Sequence, residues 1–263
     1  MIEAWKTRHT FMDKVNIVTK LFLGVALFFF IIFVHNFDFM LYLAALMLVF
    51  LLCFAGTKWQ VVATFVGMAT FFALTSSLFM IFYGDGQHVL LEFAFVSISV
   101  ESLVRGLHLS LRTMVVSYFG LAIAFTSQVI MIFYSLMQHL KVKPKIAYAF
   151  MAAFRMIPLM IESVFQLRNA LKMRYQMISN KNYGGIQRLK HLLIPLLSQN
   201  IRKAHRLAVA MEKKGFHDGK RTYYYHVPFS YRDPLLIVLL IAIIAVAFGC
   251  AHYLPITGIV DAR

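Results

Sequence analysis

Long apolar segments alternate with short polar loops along most of the chain. A helix needs about 20 apolar residues to cross the hydrocarbon core of a bilayer. The segments that meet or approach this length are Leu21 to Val34, Phe39 to Ala55, Val61 to Phe82, Met114 to Met137 and Leu235 to Leu254. The first is short, and we expect Lys20 beside it to extend its side chain to the interface. The pattern predicts an all-α membrane protein, a bundle of about five transmembrane helices.

Residues 84–112, between the third and fourth segments, show a different pattern. Val89 to Val100 is apolar but too short to span a bilayer. Ser97 and Ser99 within it repeat at a spacing of two, which is typical of a strand. This predicts a strand-like or re-entrant piece on the extracytoplasmic side of the bundle.

Charged residues at helical spacing follow this piece. Glu101, Arg105 and Arg112 are separated by four and seven residues, so one helical face can carry all three. Charged side chains inside a membrane protein also mark transport pathways. We interpret Glu101 and Arg112 as part of a structural ion cluster at the bundle edge, with a transport pathway as the alternative.

The segment from Lys141 to Asp233 is too polar to span, yet its apolar residues recur every three or four positions. This spacing is that of amphipathic helices. A turn-rich linker, residues 179–185, divides it into two stripes. Each stripe contains a proline that should kink or split its helix. The pattern predicts two long, kinked amphipathic helices, with stripes from Ile146 to Phe165 around Pro158 and from Ile186 to Met211 around Pro195.

Composition and charge support this division. The chain is 60% hydrophobic and 14% charged, whereas a soluble domain carries about a quarter charged residues. Of its 26 Lys and Arg residues, 18 lie between Lys141 and Asp233. Because Lys and Arg concentrate in cytoplasmic segments, we expect a multi-pass membrane protein with its N-terminus inside. The expected parts are a membrane bundle at residues 1–140, cytoplasmic helices at 141–233, and the last span with the C-terminus at 234–263.

Side chains that carry enzyme chemistry are sparse. No Gly-rich loop ends in Gly-Lys-Ser/Thr, so no nucleotide site is expected. The 11 acidic residues show no catalytic pairing, and the 10 histidines lack the spacing of metal ligands. Cys53 and Cys250 lie in apolar segments and are interpreted as small hydrophobic residues. We expect no enzyme activity, no cofactor and no bound metal.

The basic segment 141–233 allows three interpretations. Its charge can reflect attraction to anionic lipid headgroups, or nucleic-acid binding, since Tyr223 to Tyr225 follow Lys220 and Arg221. The third interpretation is a docking platform for an acidic protein. We prefer docking, because helices with one apolar and one basic face need a partner for each face. We expect the lipid bilayer as a further contact and no nucleic-acid partner.

Five runs of residues resemble the transmembrane T component of energy-coupling factor transporters, the CbiQ-like family of cobalt transport. Each run is weak alone, but their order and spacing match over nearly the whole chain. Residues 153–159, which include Arg155 and Pro158, resemble the family's "aaRfiPll" segment. Residues 170–175 resemble its first coupling motif, and 210–216 its second, usually AMEARGF. The two remaining runs are 16–21, similar to NPLTKL, and 101–112, similar to the segment before the next span.

The resemblance implies a scaffold that neither hydrolyses ATP nor binds substrate tightly. In this family, two cytoplasmic coupling helices dock on two ABC ATPase subunits, which bind the ATP. The membrane helices hold one small substrate-binding S component for uptake of a vitamin, cofactor precursor or metal ion across a prokaryotic cell membrane. The alternative from a related class is the permease subunit of a conventional ABC importer. The ATPase-docking residues implied for this chain are Met173, Arg174 and Tyr175, and Lys213, Lys214 and Gly215.

This chain departs from the family pattern at three positions. Tyr175 stands where the first coupling motif has glycine, so we expect the first helix to end differently. Lys214 replaces an arginine and loses its planar, two-pronged contact with a carboxylate. Ile17 replaces a proline before the first span. Gly215 keeps the family residue and suits a left-handed helix stop.

Overall fold

The structure is a computed structural model, and it describes residues 6–8, 10–83, 89–93, 96–177, 185–216 and 222–257. Within these ranges, only the backbone is described at 83, 89–93, 96–98, 174–177, 185–189 and 191. The elements in chain order are α1 (Ile17–Phe33), α2 (Phe37–Phe54), α3 (Trp59–Tyr83), β1 (Val89–Phe93), β2 (Val96–Ser99), α4 (Val100–Thr126), α5 (Val129–His139), α6 (Pro144–Met177), α7 (Gly185–Lys213) and α8 (Arg232–Tyr253).

Over the residues that the structure describes, the chain is an all-α membrane protein with a small hairpin. Five described helices are long and apolar enough to cross a membrane, which agrees with the predicted number. They are α2, α3, α4, α8 and residues 144–173 of α6; α1, at 17 residues, is shorter. The strand-like piece is confirmed as an antiparallel pair, in which Val89 lies opposite Ser99 and Phe93 opposite Val96.

Two predicted segment assignments are wrong. The segment from Met114 to Met137 is not one helix: α4 ends at Thr126, and α5 begins at Val129. Hydropathy alone misses this break, because apolar residues flank Ser127, whose backbone is extended. The segment Pro144 to Met173, judged too polar to span, is long and apolar enough to do so. Its charges are few and spread over 30 residues, so they do not interrupt its hydrophobic pattern.

The chain forms two compact units. The first comprises residues 1–132 and 227–263, and the second residues 133–226. In the first unit, α2 supplies much of the core and packs on α4 and α8. Buried residues that share this core are Met40, Leu43, Met47 and Leu51 of α2, Val115, Phe119 and Ala122 of α4, and Leu236, Leu240 and Ala247 of α8.

Helices α3 and α4 approach each other closely at Gly106. A Cβ at this position would lie 2.4 Å from Cγ1 of Ile81 and 3.1 Å from the carbonyl oxygen of Ser77. There is therefore no room for a side chain at this position, as is common where membrane helices pack closely.

We expect Gly106→Ala to lower the stability of the first unit, because overpacking costs about 1–3 kcal/mol. Gly120→Ala in the same helix is the matched control, since nothing lies within 4 Å of its added Cβ. Alanine favours a helix over glycine at either position. Thermal unfolding of the detergent-solubilised protein compares the two. Equal melting temperatures for both variants would contradict the close approach.

The prediction that Lys20 extends to the interface is wrong. Its side chain is 1% exposed, and Nζ donates to the carbonyl oxygen and Oγ1 of Thr126 at 3.3 and 3.2 Å and to Oγ of Ser127 at 3.4 Å. Carbonyl groups in the last turn of a helix have no intrahelical partner and carry the negative end of the helix dipole. The C-terminus of α4 therefore attracts this lysine more effectively than the interface does.

Arg112 makes the reciprocal contact. Its Nη2 donates to the carbonyl oxygen of Val34, the residue that caps the C-terminus of α1, at 3.1 Å. Lys20 near the start of α1 thus binds the end of α4, and Arg112 of α4 binds the end of α1. This pair of contacts holds the two helices antiparallel.

A buried carboxylate joins the first and last helices. Asp233 is in the first turn of α8, and its Oδ2 accepts from the main-chain N–H of Ser230, just before the helix. Its Oδ1 accepts from the main-chain N–H of Asn16 at 2.7 Å, and Asn16 itself caps α1 through Val18. The start of α1 and the start of α8 therefore share one acceptor.

Candidate functional site: the α6–α7 groove and helix tips

The second unit contains the two long helices in which the sequence places the candidate docking residues. Both are continuous in the structure, so neither Pro158 in α6 nor Pro195 in α7 splits its helix. Arg155 and Pro158, from the motif shared with the T components, have exposed side chains. The predicted linker at residues 179–184 lies outside the described residues, and Gly185 begins α7.

A groove of about 660 Å³ lies between the first half of α6 and the second half of α7. Its walls are mainly apolar and include several alanines. The lining residues from α6 are Lys145, Tyr148, Ala149, Ala152, Ala153, Met156, Ile157 and Met160. Those from α7 and the residues after it are Asn200, Ala204, Leu207, Ala208, Met211, Glu212 and Phe216.

Side-chain contacts join α6 and α7 at both ends of this groove. At one end, the rings of Tyr148 and Phe216 meet edge to face, with centroids 5.6 Å apart and an interplanar angle of 88°. At the other end, Nζ of Lys203 donates to Oγ of Ser163 at 3.1 Å. The groove therefore lies between two points at which the helices contact each other.

The end of α7 forms a complete glycine cap. Gly215 has φ +79° and donates its N–H to the carbonyl oxygen of Glu212, and Phe216 donates its N–H to that of Met211 at 3.0 Å. This pair of bonds is the Schellman motif, so the predicted left-handed stop at Gly215 is confirmed. Lys213 and Lys214 immediately before it are exposed. We call Lys213, Lys214 and Gly215 the second tip.

The first candidate docking motif lies in the last two turns of α6. Met173 is 66% exposed, and the backbone at Arg174 and Tyr175 is helical, with α6 ending at Met177. The side chains of Arg174 and Tyr175 lie outside the described part of the structure. Since the helix runs through Tyr175, it does end later than a glycine stop at this position would allow. We call Met173, Arg174 and Tyr175 the first tip.

Glu101 and Arg112 belong to the first unit and not to this site. Glu101 lies in the first turn of α4, where the helix dipole favours a carboxylate. Arg112 is occupied by the contact with Val34 described above. This contact is with a main-chain carbonyl group, and the predicted ion cluster of Arg112 with Glu101 stays a prediction.

Sequence reasoning missed the groove and the Tyr148–Phe216 contact. A signal was present: Ala149 and Ala153 in α6 and Ala204 and Ala208 in α7 repeat at a spacing of four. Small residues at this spacing allow another helix to approach closely. Among the described residues, no cluster of three or more His, Cys, Asp or Glu could hold a metal ion.

Residues 9–225 match the protein family described as "Cobalt transport protein" (CbiQ). The chain is also similar to curated proteins named energy-coupling factor transporter transmembrane protein EcfT. It is 28% identical to that of Lactococcus lactis subsp. cremoris over 177 residues, 64% of this chain and 66% of the relative. It is 27% identical to that of Staphylococcus aureus over 187 residues, which make up 68% of this chain and 70% of the relative. It is 25% identical to that of Streptococcus equi subsp. equi over 209 residues, which make up 74% of this chain and 75% of the relative.

The family match covers both helices of the groove and both tips. It also includes α1 to α5, and therefore most of the first unit. The matched stretches span about two thirds to three quarters of the length of these relatives. The chain therefore belongs to the CbiQ family, the family of the transmembrane T components of energy-coupling factor transporters.

Proposed function

We propose that this chain is the coupling subunit of an ATP-driven importer, joining two cytoplasmic ABC ATPase subunits to one small substrate-binding membrane subunit. The observation that carries the proposal is the second tip: two exposed lysines at a rigid, glycine-capped helix end, beside an open apolar groove. The lysines would bind a soluble partner through their charge, and the groove would bind a membrane partner through its apolar surface.

The charge of α7 supports an acidic partner. Arg202, Arg206 and Lys213 are exposed and are separated by four and seven residues, so they share one face. A helix turns about 100° per residue, which places this face opposite the groove wall formed by Ala204, Ala208 and Met211. The ATPases would bind the basic face and the tips through carboxylates, with the cations at the helix C-terminus also favoured by the helix dipole.

The groove supports a membrane partner. Association of helices in lipid depends on close packing, for which alanine-lined surfaces are suited. Beyond the groove, the apolar stripe of α7 continues through exposed residues, Leu193, Ile194, Leu197 and Ile201. An apolar helix of the substrate-binding subunit would cover this surface. The N-terminus would lie inside the cell, as the distribution of Lys and Arg predicts.

In this function the chain itself binds no ATP and no cofactor. The ATPase subunits would bind and hydrolyse ATP, and the substrate, a vitamin, cofactor precursor or metal ion, would bind the small membrane subunit. The two helices would transmit ATPase closure to the bundle and reorient that subunit.

Lys214→Glu tests the docking role. We expect it to lower the amount of ATPase that copurifies with a tagged chain from native membranes, because loss of one partner of a hydrogen-bonded charge pair buried at an interface costs about 2–5 kcal/mol. Mass spectrometry identifies the ATPase subunits that copurify, and the rate of ATP hydrolysis by the purified complex measures their amount. Lys190→Glu, which makes the same charge change at an exposed position of α7, is the control. Unchanged ATPase recovery with Lys214→Glu would overturn the docking assignment.

A further inference from the structure

We infer that Phe216 is a positioning residue, which transmits movement of the second tip to α6 through its contact with Tyr148. The inference rests on the proposed function, since it takes the second tip as the place where an ATPase acts. It assigns to one aromatic pair the mechanical link between ATPase docking and movement of α6.

The helix cap fixes the direction in which Phe216 leaves α7. Its N–H is bound to the carbonyl oxygen of Met211 at 3.0 Å, and Gly215 before it has φ +79°. The backbone at the end of α7 is thus held by two hydrogen bonds within the last turn. Because Phe216 is two residues from Lys214, a force on the lysine side chains reaches the Phe216 ring through a rigid cap.

The ring of Phe216 meets a side chain of the other helix. Tyr148 lies in the second turn of α6, and the two rings pack edge to face. Edge-to-face packing is directional, and it stabilises such a pair beyond the area that it buries. The contact therefore resists both sliding and separation of α6 and α7 at this end of the groove.

The second contact between the helices acts as a pivot. Lys203 binds Ser163 at the far end of the groove. Between Tyr148 and Ser163, α6 extends for about 22 Å, at 1.5 Å per residue. The walls in this interval include Ala149, Ala152 and Ala153, whose short side chains provide few contacts across the groove. While Phe216 and Tyr148 stay in contact, displacement of the second tip therefore carries α6 with it; without that contact, α7 would pivot about the Lys203–Ser163 contact and the width of the groove would change.

Helix α6 is in turn held to α5. The ring of Phe133 in α5 lies 5.7 Å from that of Phe150 and 5.8 Å from that of Phe154. Only two residues separate the end of α4 from the start of α5. Movement that reaches α6 is therefore passed to α5 by packed side chains, consistent with packed elements carrying energetic coupling.

Distance measurements between α6 and α7 test the inference without knowledge of the substrate. Spin labels at Leu159→Cys and Ala210→Cys, in a chain with Cys53→Ser and Cys250→Ser, report the separation of the two helices in the purified complex with its ATPases. We expect this distance to stay unchanged when a non-hydrolysable ATP analogue is added, because the aromatic contact makes the two helices move together. In the same complex, Phe216→Ala should allow the analogue to shift the distance by about 2 Å or more, while ATPase recovery stays that of the unchanged chain.

Further variants separate the aromatic contact from general damage. Tyr148→Ala should allow the same shift, and the double variant should equal either single variant, because both remove one interaction. Phe216→Tyr keeps the ring and should show no shift. Phe165→Ala, at an exposed aromatic residue of α6, is the control and should also show no shift.

Three results would overturn the inference: an unchanged distance in Phe216→Ala, effects of Phe216→Ala and Tyr148→Ala that add, or a shift in Phe165→Ala. Failure of the proposed function has a different signature, since Lys214→Glu would then leave ATPase recovery unchanged.

Discussion

Charge reversal at both tips, Arg174→Glu with Lys214→Glu, is expected to abolish recovery of the ATPase subunits, whereas either replacement alone weakens it. The two tips end helices of the same chain, so binding of one tip raises the effective concentration of the other for its site. Loss of one contact leaves the second to hold the complex. Loss of both removes this advantage as well as the two contacts.

The size of the effect follows from the charges. Each removed contact costs about 2–5 kcal/mol, and every 1.4 kcal/mol is tenfold in affinity. Reversal adds repulsion of the carboxylates that the proposal assigns to the ATPases. The measurement is quantitative recovery of ATPase with the tagged chain at several salt concentrations. Because exposed charges are screened by salt, the single variants should lose ATPase at lower salt than the unchanged chain does.

The matched control for the double variant is Arg168→Glu with Lys190→Glu. Both residues are exposed and lie in the same two helices, and their replacement changes the net charge by the same amount. Recovery should stay close to that of the unchanged chain. If the control loses ATPase as completely as the double variant, bulk charge rather than the tips mediates binding. If the double variant retains ATPase, docking occurs elsewhere.

Lys20→Met is expected to cause a large loss of stability in the first unit. The lysine is almost fully buried, and its ammonium group donates to the last residues of α4. Methionine is of similar length but leaves the carbonyl oxygen of Thr126 without this donor. An unsatisfied buried polar group costs about 1–3 kcal/mol, and loss of a partly buried cation at a helix C-terminus costs up to ~2 kcal/mol.

We therefore expect the apparent melting temperature in detergent to fall by roughly 5–10 °C, since 1 kcal/mol corresponds to about 2–4 °C in a chain of 150–250 residues. Lys14→Met, at an exposed position, should change it little. Thermal unfolding followed by size-exclusion chromatography measures both. A stable Lys20→Met variant would show that burial of the ammonium group costs as much as its hydrogen bonds contribute.

Local sequence signals predicted the features that depend on a few neighbouring residues. To predict the left-handed stop at Gly215, a glycine after a basic helix end was sufficient. To predict β2, the alternation at Ser97 and Ser99 was sufficient. The break after Thr126 was missed because hydropathy averages over a window and passes through Ser127 and Gln128 unchanged. A helix boundary depends on the few residues that cap the helix, which are fewer than a hydropathy window averages.

The errors on Lys20 and the groove have a different origin. Whether a lysine extends to the interface or turns inward depends on which helix end lies beside it, and here that end is 106 residues away in the chain. The groove likewise depends on how α6 and α7 cross. Ala149 and Ala204 indicated that another helix could approach, but the contact of Tyr148 with Phe216 required the three-dimensional arrangement.

The shared acceptor at Asp233 has a consequence for biogenesis. Asn16 and Asp233 are 217 residues apart in the chain. At about 5–20 residues per second, ribosomes need roughly 10–40 s to synthesise this interval. During that time α1 has left the ribosome, but the carboxylate that binds its first turn does not yet exist. The buried polar contact at the start of α1 can form only when α8 arrives, so it marks the completion of the chain.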